Sequence, residues 1–135
     1  MREILFRGKR IDNGEWVYGF LVILANGVCS IIPRDAEQWS ISEYNMAFAV
    51  IPETVGQYTS LKDKNDNKIF EGDIVKATYR GNYGRYAFVV VFDEGRFALC
   101  KNGVAVEMND GYRPEVIGNI HDNPVLLKDA RNGTA

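Results

Sequence analysis

The sequence predicts an all-β protein built from antiparallel hairpins, with at most one short helix. Two observations carry that prediction. Asn-Gly recurs at Asn13-Gly14, Asn26-Gly27 and Asn102-Gly103, and Asp93-Glu94-Gly95 adds another turn of the same kind, each beside β-type residues. Both central residues of a type I′ hairpin turn need positive φ, which Asn and Gly tolerate. Between these turns lie short apolar runs, the pattern of a meandering sheet or small barrel.

The elements follow in order. Trp16 to Leu24 and Val28 to Ile32 flank the second Asn-Gly as a hairpin, and Pro33, which has no N–H to donate, is expected to end the pairing. Ala36 to Tyr44 lacks a sustained strand pattern and is the place for a short helix or an irregular crossing. Polar loop residues near Leu61 mark a soft boundary between a β-rich part, 1–60, and a second part, 61–127. From Ile74 to Arg80 the chain alternates, with Val75, Ala77 and Tyr79 facing a core and Lys76, Thr78 and Arg80 facing water. Tyr86 to Phe92 is apolar on both faces and reads as a central strand, and Val104, Val106 and Met108 share one face of a later one. Residues 128–135 are polar and read as a frayed tail.

A chain of 135 residues is one ordinary domain or two small subdomains sharing a core. At this size about two thirds of the unfolded surface is buried, so no covalent staple is needed. The composition, 46% hydrophobic and 25% charged, is that of a globular protein. A net charge of −2 gives no global attraction to nucleic acid, so any basic footprint has to be local. Cys29 and Cys100 are far apart, each in an apolar run, and read as reduced thiols rather than a disulfide framework. Charges at Arg2, Glu3 and Arg7 interrupt the place of a signal peptide's apolar stretch, and Val17 to Ala25 is too short to span a bilayer. The cytoplasm is therefore the expected compartment, with no membrane partner.

Several stretches bear on chemistry. Asp63, Asn65 and Asn67 occupy the first, third and fifth positions of a calcium loop, but Lys68 and Ile74 stand where glycine and a bidentate Glu belong. The stretch therefore reads as a polar loop between strands. His121, the single histidine, has no close-spaced zinc partner, and Gly118 to Pro124 reads as a closing turn in which His121 or Asp122 caps backbone groups. Gly81 and Gly84 lie between two strands rather than ahead of a helix, so no phosphate loop is present. Asp93-Glu94, and Glu71 with Asp73, fall in turns where carboxylates are ordinarily solvated. No catalytic residue, metal site or cofactor is expected. The stretch from Lys76 to Tyr86 interleaves three basic residues with three tyrosines and no acid. Its candidate nucleic-acid contacts are Lys76, Tyr79, Arg80, Tyr83, Arg85 and Tyr86. Cations for a phosphate backbone beside rings for base stacking are the pairing of a single-strand site.

Three stretches together resemble the YopX family of phage and prophage proteins. The first runs from Phe6-Arg7-Gly8-Lys9-Arg10 to Glu15-Trp16-Val17-Tyr18-Gly19. The second, the most specific, runs from Glu53-Thr54-Val55-Gly56-Gln57-Tyr58 through Asp63-Lys64 to Ile69-Phe70-Glu71-Gly72-Asp73-Ile74-Val75, and the third from Val116-Ile117-Gly118-Asn119 to Pro124. Ser60 departs from the pattern, standing where glycine is expected. The resemblance implies a β-rich fold, an SH3-like small barrel in the C-terminal half, and an accessory protein in the bacterial host cytoplasm. It brings no catalytic residues.

Three functional readings stand at this point. The foremost is a non-catalytic module for protein–protein interaction or self-assembly, suggested by large apolar residues such as Trp16, Trp39 and Phe70 beside turns. The second is a nucleic-acid-binding module using the 76–86 hairpin. The third is an enzyme whose site includes His121 with Asp122.

Overall fold

Residues 2–34, 47–78, 85–108 and 112–132 are described by a computed structural model, the last four by backbone alone. The chain divides into two compact units, Met1–Tyr58 and Thr59–Ala135. Sequence composition had suggested a division near Leu61. Among the described residues the strands pair antiparallel throughout, accompanied by a 3-10 turn at Pro52–Thr54 and one short α-helix.

In the first unit, β1 (Phe6–Lys9), β2 (Trp16–Ile23), β3 (Cys29–Pro33) and β4 (Phe48–Val50) precede a 3-10 turn at Pro52–Thr54 and the start of β5 (Gly56–Lys62). The strand order is β4-β3-β2-β1-β5. Side chains alternate across a strand, and one face of this sheet forms the core. It places Val17, Ile31 and Val50 among Phe6, Leu21, Cys29, Phe48 and Val55.

Pro33 is the last residue of β3, as expected, paired opposite Gly19 at the end of the β2–β3 ladder. An antiparallel ladder asks for an N–H toward a given neighbour only at alternate residues. Arg34, the next residue, supplies it, donating to the Tyr18 carbonyl at 3.2 Å. The backbones approach so closely there that a Cβ on Gly19 would lie 1.8 Å from the Ile32 carbonyl oxygen.

The turns separate into two kinds. Leu24 pairs with Val28 across a three-residue loop in which Gly27 alone has positive φ, +86°. Asn13-Gly14 likewise uses positive φ only at its glycine. Two-residue loops with positive φ at both positions occur at Glu94-Gly95 and Asn102-Gly103. They close the pairs Asp93↔Arg96 and Lys101↔Val104. The primed geometry thus belongs to one of the three Asn-Gly sites and to a turn containing Glu.

In the second unit the remainder of β5 leads to β6 (Lys68–Phe70). There follow β7 (Asp73–Thr78), β8 (Arg85–Asp93), β9 (Arg96–Lys101), β10 (Val104–Glu107), β11 (Glu115–Asn119) and α1 (Pro124–Asn132). The five-stranded sheet has the order β10-β9-β8-β7-β11, with β8 in the centre as its two apolar faces predict. The sheet is open, with β10 and β11 as edges, so the closed barrel that the resemblance implied is not seen.

Both faces of this sheet are covered. On one, Val75, Ala77, Phe88, Val90 and Leu99 pack with Ile69 and Tyr112, while Val106 and Met108 lie against them. On the other, Ile74 and Ala87 pack with Val89 and Ile117 beneath Leu126 and Leu127 of α1. Each of these large side chains contributes about 1.5–3 kcal/mol when fully buried. A bulge between Val116 and Gly118 places the extra residue, Ile117, in the helix-covered cluster.

The helix starts at the end of the expected closing turn and continues into residues 128–132, which were expected to belong to a frayed tail. Its start is defined by Pro124, which tolerates the first helical position because its missing N–H would have no partner there. The helix expected within Ala36–Tyr44 lies outside the described residues.

Candidate functional site

The predicted basic hairpin is described only in part. Tyr79, Arg80 and Tyr83 lie outside the described residues. Lys76 is exposed on β7. Arg85 is already engaged: its guanidinium donates to the carbonyls of Lys76 and Arg113, both at 2.9 Å, and to Thr78 Oγ1 at 3.4 Å. Tyr86 packs against the core, and Lys101 Nζ stands 5.1 Å from its ring centroid. Among the described members, Lys76 presents an exposed cation, Arg85 ties strands together and Tyr86 packs inward.

The region around His121 is a reciprocal cap. Asn119 Oδ1 accepts the backbone N–H groups of His121 and Asp122 at 3.0 and 2.9 Å. The Asn119 N–H in turn donates to Asn123 Oδ1 at 3.1 Å. Asn119 and Asn123 thus cap backbone groups of this turn, and Asp122 Oδ2 accepts from the Asn119 side-chain amide at 3.1 Å. Gly118 makes room, since a Cβ there would meet Asn123 Oδ1 at 2.5 Å.

The calcium-like stretch is a hairpin loop organised by one carboxylate. Asp63 Oδ1 accepts from the N–H groups of Asn65 and Asn67 at 2.8 and 2.9 Å. Its Oδ2 accepts from the Val116 N–H at 2.9 Å and the Asn67 side-chain amide at 3.4 Å. Burial pushes the Asp63 carboxyl up, but these four hydrogen bonds together hold it below the ordinary aspartate value. Its oxygens face N–H donors rather than a cation. Among the described residues no cluster of His, Cys, Asp and Glu is arranged to hold a metal ion. Asp73, also buried, accepts the Phe70 N–H at 2.7 Å and shapes the turn into β7.

The surface that does stand out is the outer face of the first sheet. The alternation that sends Val17 and Leu21 inward sends Tyr18, Phe20, Val22 and Leu24 outward. On β3 their neighbours are Val28, Ser30 and Ile32. Tyr18, Phe20, Leu24 and Val28 are 43, 50, 49 and 38% exposed. At one end Arg7 and Lys9 lie over the Trp16 ring, 4.7 and 5.6 Å from its centroid. Such contacts stabilise by about 0.5–2 kcal/mol according to exposure.

The sequence signals this face by carrying apolar residues on both parities of Trp16–Leu24, which requires a second covering layer or an exposed patch. The residues singled out for exposure beside turns are not its exposed members. Phe70 is buried, Trp16 is half-buried under its two cations, and Trp39 lies outside the described residues.

The fold and this surface together define a two-unit antiparallel β protein in which Tyr18, Phe20, Leu24 and Val28 are exposed on one sheet face, while Ile32 beside them is buried. The chain belongs to the YopX family: the family model described as YopX protein matches residues 5–128. Among solved structures it is similar to protein EF1440 from Enterococcus faecalis, with 25% identity and a TM-score of 0.53 over 94% of this chain and 99% of that one. No curated protein matches the sequence.

Proposed function

We propose that this protein is a non-catalytic interaction module, an accessory protein of a phage or prophage working in the bacterial cytoplasm through protein–protein contact. The observation that carries the reading is the outer face of β2 and β3. Four large apolar side chains there are exposed on one sheet face, with Ser30 as the polar residue between them. Scattered exposed apolar residues are ordinary, whereas a contiguous patch of several hundred Å² marks an interaction site. Aromatic enrichment with charges absent from the centre of the patch is the composition of an interface core.

The remaining candidate groups support the same reading. Asp63, Arg85 and Asn119 all engage backbone and side-chain groups of their own unit. The test is affinity capture from host cells with the wild-type chain and with Phe20→Glu. The reading expects stoichiometric partners, a second copy included, that are lost in the variant. Identical captures from both proteins would refute it.

A further inference from the structure

We infer that the outer β2–β3 face is the contact through which two copies of this chain pair, a proposal that rests on the reading of the protein as an interaction module. The argument begins with self-complementarity. A two-fold interface brings each patch against itself, so any charge near the axis would meet its own kind. The stripe Tyr18, Phe20, Val22, Leu24 and its neighbours Val28, Ser30 and Ile32 contain no charged residue. The nearest cations, Arg7, Lys9 and Arg34, lie at its Tyr18 end: Arg7 and Lys9 stand over the Trp16 ring, and Arg34 is ion-paired with Glu3.

Area points the same way. Large side chains that are about half exposed offer on the order of 100 Å² each. With the half-buried Val22 and the exposed Ala49 alongside, the face offers on the order of 500 Å² per copy. Pairing two such faces removes about 1,000 Å² before the rim is counted, the lower bound for a biological interface. The shape also suits a second sheet. Two twisted sheets stack face to face about 10 Å apart with interdigitating side chains, and alternating large and small groups such as Phe20, Val22 and Leu24 provide the ridges and gaps.

Sedimentation velocity on the full chain, from about 1 to 100 µM, tests the proposal. Wild-type mass rises from 15.2 kDa toward twice that value. Phe20→Glu and Leu24→Lys, each checked by circular dichroism and thermal melting, stay at the monomer mass across the range. Phe92→Glu, which alters an exposed phenylalanine of the other unit, pairs as wild type does. A wild-type chain that is monomeric throughout overturns the proposal, as does a dimer that persists in both folded β2 variants. A monomeric wild type that still captures partners through Phe20 removes the second copy while leaving the interaction reading intact.

Discussion

Replacing Asp63 with alanine removes the acceptor for three backbone N–H groups and one side-chain amide in a single step. Two of the backbone donors, Asn65 and Asn67, belong to the loop itself and regain part of the loss from water. The third, Val116, pairs with Val75 where β11 joins β7 and lies 53 residues away in sequence. Its bond therefore closes a long loop as well as satisfying a donor. Hydrogen bonds to a charged group are worth about 1.5–3 kcal/mol net, and an orphaned buried donor costs about 1–3.

Counting Val116 in full and the loop donors at a discount, Asp63→Ala is expected to destabilise by about 3–4 kcal/mol. A chain of this length unfolds with about 0.28 kcal/mol per kelvin of entropy, so the melting temperature falls by about 10–14 °C. Asp63→Asn is also destabilising, because one end of the amide presents a donor to a donor. The carboxyl is held below its ordinary value, so its stabilisation is complete above the unfolded value of about 3.9 and disappears as pH falls through the folded one. The gap between wild type and Asp63→Ala should accordingly be constant from pH 5 to 7 and shrink below about pH 4. Calorimetric melts across that range provide the assay. A shift under about 3 °C at pH 7, or a gap that widens in acid, would refute the reasoning.

Three further substitutions follow from backbone and packing. Ser60→Gly relieves a left-handed residue at φ +76°. The relief of about 1–2 kcal/mol, less about 0.5–1 for added unfolded freedom, should raise the melting temperature by about 2–4 °C. Gly19→Ala would place a methyl 1.8 Å from the Ile32 carbonyl, and loss of cooperative unfolding or more than about 3 kcal/mol of stability is expected in urea titration. Leu126→Ala strips α1 of part of its cover over Ile74 and Ala87 and should cost about 2–4 kcal/mol, measured by urea unfolding with unchanged β-sheet circular dichroism.

The strands were legible because their signal is local. The apolar run from Tyr86 to Phe92 has no polar face, and β8 is indeed the centre of its sheet. Lys76 alternates with Val75 and Ala77 as the exposed member of β7. The helix was hidden because Asn123-Pro124 reads equally as a turn and as a helix start. Among the helix's described side chains, Leu126 and Leu127 pack against the sheet, which makes no periodic pattern. That same helix explains why Ile74 and Ala87, on the other parity, are fully buried.

The Ser60 departure from the family pattern also acquires a cause. Glycine suits a backbone of positive φ, and this chain carries serine there under strain. Asp63 looked like a cation ligand because its chemistry is that of an acceptor. Its partner Val116 is supplied by a strand that no local pattern could connect to it. The outer face of β2 could not be distinguished from a covered one, since burial depends on what the rest of the chain places above it.

The most direct test of the central claim places a photo-crosslinking phenylalanine analogue at position 20 in one protein and at position 92 in another, both expressed in host cells. Both side chains are exposed phenylalanines at about half their surface, one on the apolar sheet face and one in the other unit. The account predicts discrete adducts from position 20, a dimer of the chain among them, and none of matching yield from position 92. Equal adducts from the two positions, or none from position 20, would contradict it.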